Sequence, residues 1–267
     1  MHPHLYNVVR SCFVTGFLRH SFDVSRSTQH NPAKPRDINS LNSKPSNEAT
    51  SSCSDRALHC GNEMDTQSHW ERVYGSKAPT EVSWFRPHLE TSLALIERVA
   101  GDRSASIIDV GGGESTLVDD LIDKGYLNVT VLDISRTAIE HSKKRMSSVS
   151  SKAVWLVADV TTAELPTHAY DVWHDRAVFH FLTEPEQRLA YVGQVAKTVK
   201  HGGHIIIGTF GPEGPVKCSG LTTVRYDVNS LQAEFGPRFR LIESMMERHH
   251  TPIGTTQQFL YCCFIVE

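Results

Sequence analysis

The chain has 267 residues, 39% hydrophobic and 21% charged, enough apolar material to bury a full core around one main domain. Its net charge is -3 with acids and bases interspersed, so no basic stripe marks a nucleic-acid partner, and no run of about eighteen apolar residues marks a membrane span. The six cysteines form neither a C-x-x-C pair nor an extracellular framework, which fits a reduced, intracellular setting.

In chain order, the first division falls near Met64. Residues 1–63 include the stretch STQHNPAKPRDINSLNSKPSNEATSSCS, rich in Ser, Asn, Pro and Lys, which cannot bury enough surface to offset its ordering entropy and reads as a disordered tail. The first thirty-six residues hold one acid, Asp23, against Arg10, Arg19, Arg26, Lys34 and Arg36, a composition like that of a mitochondrial presequence. An upstream extension without a targeting role, from an over-long start, fits the same residues. Residues 64–267 read as the folded domain.

From Met64 onward, short β-branched runs alternate with helical patterns. HLETSLALIERVAG places Leu89, Leu93, Leu95, Ile96 and Val99 at helical spacing ahead of a strand, SIIDV. Glu114 to Lys124 predicts a helix, NVTVLDI a second strand, and Ser135 caps a helix running to about Met146. VWLVADV and YDVWH follow as strands three and four. Thr183 and Glu186 stand in capping-box spacing before another helix, and HGGHIIIGTF gives a fifth strand after a Gly-Gly turn. A short helix near Ser230 to Phe235 precedes FRLIESMMERHH and QQFLYCCFIVE, which TPIGTT joins as a hairpin. The expected fold is α/β: a doubly wound, mainly parallel, Rossmann-like sheet with a C-terminal antiparallel hairpin.

The stretch IIDVGGGEST carries Asp109 at the end of the first strand and then three glycines, Gly111, Gly112 and Gly113. In a doubly wound sheet the first strand-to-helix turn lets a cofactor approach the backbone, and side chains there would block it. A dinucleotide loop needs a third glycine where Thr116 stands, and Glu114 at the helix start would repel a phosphate. A cofactor with an ammonium, a sulfonium and an adenosine but no phosphate fits better, and S-adenosylmethionine has that chemistry. Asp109 would face its cationic end. Asp133, closing the second strand, would accept from both ribose hydroxyls; Asp159, with Val160 beside it, would meet the adenine amino group, and Ile134 would pack on the adenine face.

On DVGGGES, LDIS, ADV, YDVWHDRAVFHFL and the terminal hairpin, residues 67 to 267 resemble the class I S-adenosylmethionine-dependent methyltransferases. The resemblance implies a seven-stranded sheet with the last strand inserted beside the sixth, and it departs from the family pattern at Ser115, where glycine is common. The phrase VWHDRAV resembles the W-D-R-G stretch of thiopurine-type enzymes, which implies a small-molecule acceptor; a protein-lysine methyltransferase is the competing reading, and a non-catalytic cofactor-binding regulatory protein a further one. His174, Arg176 and His180 follow the fourth strand, nearest the transferred methyl in this architecture. The histidines are candidate proton acceptors and Arg176 would orient an anionic or carbonyl-bearing substrate. A structural ion pair of Asp175 with Arg176, and a core role for His180, compete with those assignments. Trp70, Tyr74, Trp84 and Phe85 would cover the cofactor or substrate, and GPEGPVKCSGLTTVRYD would be a substrate lid. His249 and His250 lack a third partner at useful spacing, so no metal is expected. The remaining expectations are a monomer or weak dimer, no nucleic-acid or membrane partner, and a cytoplasmic location, or the mitochondrial matrix if residues 1–63 are a presequence.

Overall fold

A computed structural model describes residues 65–267. The tail or presequence expected over residues 1–63 lies outside them. The first described element, α1 (Thr66–Ser76), starts at Asp65, whose side chain accepts from the Ser68 amide. Helix α2 (Glu90–Val99) follows and buries Ser92, Leu95 and Ile96.

Strand β1 (Ser106–Val110) is buried along almost its whole length, as a strand covered on both faces must be. It pairs in parallel with β2 (Asn128–Asp133) on one side and β4 (Tyr170–Arg176) on the other. Strand β3 (Ala153–Val157) extends the sheet beyond β2, and β5 (Val199–Phe210) extends it beyond β4, all parallel. Strands β6 (Lys217–Cys218) and β7 (Leu221–Thr222) form a separate small ladder. Strands β8 (Phe239–His250) and β9 (Thr256–Val266) form the expected hairpin, with β9 antiparallel to β5 and β8 at the edge. The order β3-β2-β1-β4-β5-β9-β8 is the doubly wound, mainly parallel seven-stranded sheet with the last strand, β9, inserted between β5 and β8.

Side-chain alternation divides the core. Ile107, Val131, Val172, Ile206 and Tyr261 pack under α2 and α3 (Leu117–Asp123). Ile108, Leu132, Trp173, Ile205 and Phe264 pack under α5 (Pro185–Thr198) and α6 (Val228–Phe235). Ser135 caps α4 (Arg136–Met146) through the Ala138 amide, as its position implied.

Three local expectations shift. Helix α3 opens at Leu117 rather than near Glu114, because Gly111 and Gly113 hold positive φ and the chain stays in a tight loop through Thr116. Arg145 secures that loop by donating to the carbonyls of Glu114 and Ser115. The capping box of α5 uses Glu184 and Gln187, not Thr183 and Glu186, with Pro185 at the first helical position. Gly202 and Gly203 lie within β5 beside a ladder irregularity instead of in a separate turn. Among the described residues no helix is long and apolar enough to cross a membrane.

Candidate active site

The strand order reverses between β1 and β4, which opens a crevice beyond their carboxyl ends where doubly wound proteins bind ligands. A cleft there is lined by Gly111, Asp133, Ile134, Asp159, Val160 and Arg176, so six of the sequence-derived candidates meet in one place. An adjoining cavity is lined by Asp109, Gly112, Glu114 and His174, and shares Gly111, Arg176, Tyr74 and Trp84 with the cleft.

The glycine loop is tight. A Cβ on Gly111 would stand 2.0 Å from Val178 Cγ2, and one on Gly112 would stand 2.8 Å from Asp109 Oδ2. A Cβ on Gly113, also at positive φ, would press on the Tyr74 hydroxyl at 2.7 Å. None of the three can carry a side chain without moving its neighbours.

Asp133 is buried at the end of β2, with Oδ1 accepting from the Ser135 amide at 2.8 Å. Burial, reinforced by the charge of Asp109, raises its carboxyl to about 7 despite the backbone donors around it. Such a carboxyl has acceptor capacity left for a ligand's hydroxyls. Asp159 is exposed and folds back on its own turn, accepting from the Thr161 amide and hydroxyl at 2.8 and 2.7 Å. Beside it, Val160 is buried while Ile134 is half-buried.

Asp109 and His174 are ladder partners on adjacent strands, so their side chains leave the same face. His174 Nδ1 donates to Asp109 Oδ1 at 2.7 Å and both residues are buried. Its Nε2 has no partner among the described residues. The next two residues separate by strand alternation. Asp175 turns to the α5 face, where it accepts from the Val178 and Phe179 amides and from the Tyr191 hydroxyl at 2.6 Å. Burial lifts its carboxyl to about 6. Arg176 turns to the cleft, donating from Nε to the Tyr261 hydroxyl at 3.0 Å and from Nη1 to the Trp84 carbonyl at 3.1 Å. The alternative of an Asp175–Arg176 ion pair is therefore corrected: neighbours on a strand face opposite ways.

His180 lines neither cavity. It stacks on Phe210 with ring centroids 4.1 Å apart, and Phe210 is the residue in the cleft wall. Its Nδ1 accepts from the Phe210 amide, so the ring proton sits on Nε2. Burial and then the Arg176 charge push its pKa down to about 3.

Helix α1 roofs the cleft with Trp70 and Tyr74, and Trp84 meets both rings edge-on. Burial, then the charges of Asp133 and Glu114, hold the Tyr74 phenol well above its ordinary value, so it stays protonated. Glu71 on the same helix reaches the start of α4 and accepts from Ser135 Oγ, the Arg136 amide and the Thr137 amide at 3.0, 2.7 and 3.1 Å. Burial alone would raise that carboxyl; the bonds from Thr137, Arg136 and Ser135 outweigh it and hold the group below the usual range. From the expected lid segment, Cys218 reaches the cleft as a thiol whose pKa burial raises. Phe85 lines the adjoining cavity rather than the cleft.

Residues 107–203 match the family model of a methyltransferase domain. Among curated relatives, the mouse eEF1A lysine and N-terminal methyltransferase is 24% identical over 144 residues, covering 54% of this chain and 20% of that protein. The malonyl-[acyl-carrier protein] O-methyltransferase of a Paenibacillus strain is 26% identical over 129 residues, covering 46% of each. The matched segment thus spans less than half the length of either relative. Among solved structures, the N-methyltransferase NodS from Bradyrhizobium japonicum, in complex with S-adenosyl-L-homocysteine, superposes with a TM-score of 0.58 at 14% identity, covering 76% of this chain and 99% of that one. An Anabaena variabilis SAM-dependent methyltransferase gives a TM-score of 0.61 at 14% identity, over 77% and 96%. Residues 107–203 thus carry a methyltransferase domain, and the fold around them is shared with solved S-adenosylmethionine-dependent methyltransferases.

Proposed function

We propose that the protein transfers a methyl group from S-adenosylmethionine to a small-molecule acceptor. The observation that carries this reading is the buried Asp133 carboxyl lining the cleft, which accepts from the Ser135 and Gly113 amides and keeps lone pairs for a ligand. Two ribose hydroxyls would satisfy it. Ile134, Val160 and Val178 would wall the adenine, with Asp159 at its exposed edge. The bare backbone of Gly111, Gly112 and Gly113 would pass the methionine portion toward the adjoining cavity, where Asp109, held by His174, faces the ammonium. When bound, the cofactor supplies an electrophilic methyl. The chain's own part is to hold both reactants in line and exclude water, which the roof of Trp70, Tyr74 and Trp84 does.

The roof also supports a small acceptor, because aromatic rings and Cys218 enclose the half of the cleft around Arg176. A protein-lysine acceptor is the second reading, supported by the names of the eEF1A relatives. Residues 64–267 would form the catalytic unit, acting in the cytoplasm, or in the mitochondrial matrix if residues 1–63 direct import. Two experiments test the reading. Calorimetric titration should show S-adenosylhomocysteine binding and no binding of a nicotinamide dinucleotide. A tritiated-methyl assay against cell extract should then place the label in the low-molecular-weight fraction; label in protein would move the assignment to the second reading.

A further inference from the structure

We infer that the methyl acceptor is a small carboxylic acid, bound as its anion against Arg176 and released as a methyl ester. The inference rests on the cofactor reading above. Arg176 is only 9% exposed, yet no carboxylate among the described residues lies within ion-pair distance of it. Its two hydrogen-bond partners, the Tyr261 hydroxyl and the Trp84 carbonyl, are neutral, and Nη2 has no acceptor. The guanidinium is also fixed in place. It lies 4.4 Å over the Phe259 ring, and Tyr261 is itself bonded to Ser92 at 3.3 Å. A buried cation without a counter-ion is costly, and a bound anion removes that cost.

The same cleft offers its acceptor no base. Of the ionisable groups in its lining, Asp133 and Asp159 stand at the ends of β2 and β3, Tyr74 and Cys218 keep their protons, and Arg176 cannot accept one. His180 holds its ring proton on Nε2 behind Phe210, and His174 lines only the adjoining cavity, which Arg176 also borders but which the methionine end of the cofactor would fill, with Nδ1 tied to Asp109. An amine or alcohol acceptor must lose a proton, and a lysine ammonium would also meet a like charge at Arg176. A thiol, with an ordinary pKa of about 8.5, is mostly protonated at neutral pH. A carboxylic acid, at about 4, is already ionised. One carboxylate oxygen forms the O–CH3 bond as the S–CH3 bond breaks, and the electron pair of that bond stays on sulfur, leaving a neutral thioether. No proton moves.

The test uses the full chain saturated with S-adenosylhomocysteine, titrated in a calorimeter with benzoate, phenylacetate and malonate and with the uncharged analogue benzamide. At least one acid should bind, and benzoate at least tenfold more tightly than benzamide. Arg176→Gln should reduce acid binding at least tenfold, with Arg176→Lys in between. The acid-against-amide comparison needs only the wild-type protein, so it stands if a variant misfolds. In parallel, tritiated-methyl product from a small-molecule extract should release volatile methanol on mild alkali, as esters do and N- or S-methyl groups do not. Alkali-stable label, equal binding of benzoate and benzamide, or no binding by any of the acids overturns the inference. Failure of S-adenosylhomocysteine to bind overturns the cofactor reading instead.

Discussion

Changing Asp133 to Asn separates the demands of the ligand from those of the fold. With the carboxyl near 7 in the ligand-free protein, about half is ionised at neutral pH. Ribose hydroxyls donate best to the ionised form, so cofactor binding draws Asp133 toward ionisation and releases a proton. Affinity should therefore weaken roughly tenfold between pH 8 and pH 6. Asp133→Asn should cost about 1.5–3 kcal/mol of binding, the range for charge-assisted hydrogen bonds, and should flatten that pH dependence. Stability should move the other way. The folded pKa lies about three units above the unfolded value, so the wild-type side chain contributes stability that is present below about pH 4 and lost as pH rises through about 7. Asparagine cannot ionise but turns an amide N–H toward one of the Ser135 and Gly113 backbone donors, so the ligand-free variant should gain stability relative to wild type between pH 4 and pH 8, by up to about 4 kcal/mol, on top of a constant loss from that clash. Calorimetry across pH in buffers of different ionisation enthalpy, with melting curves at both pH values, measures each term. Unchanged affinity in the variant, or wild-type affinity flat from pH 6 to 8 with no proton release, would refute the reasoning.

Three further outcomes follow from the geometry. Gly111→Ala forces a Cβ to 2.0 Å from Val178 at positive φ, and should abolish cofactor binding and lower Tm sharply, whereas Gly101→Ala, also at positive φ but in open space, should cost only about 1 kcal/mol, read from denaturant midpoints. Glu71→Ala removes three hydrogen bonds between α1 and α4 and should weaken cofactor binding by about 1–2 kcal/mol, measured by titration, while denaturant curves show a smaller loss for the rest of the domain. Asp175→Asn turns an amide N–H toward backbone donors and should destabilise the protein by about 2–3 kcal/mol in urea titration.

The strand-end acids were legible because each is a charged residue closing an apolar run, a pattern that physical chemistry seldom tolerates without a ligand or a turn to serve. The glycine loop was legible for the same reason, and the terminal hairpin announced itself by two β-rich runs with a short turn between them. Partnerships across long sequence separations left no such trace. Arg176 meets Tyr261 through the pairing of β4, β5 and β9, and His174 meets Asp109 through the register of β1 with β4; both depend on how strands align. The Glu71 clamp was invisible because a carboxylate serving another helix's start looks like any helical surface acid. Capping of α5 slipped by one residue, since Thr183 and Glu184 both suit the position and the Pro185 ring decides between them.

The alternation at the end of β4 has an evolutionary consequence. Trp173, Asp175 and Tyr191 form one hydrogen-bonded group on the α5 side, while His174, Arg176 and Tyr261 serve the opposite side. Interleaved positions on one strand thus answer to separate selective pressures. Substitutions at 176 can retune which acceptor is recognised while the scaffold beneath stays intact, so a library restricted to that position should yield folded variants with altered preference. A library at 173, 175 and 191 should mostly yield chains that fail to fold.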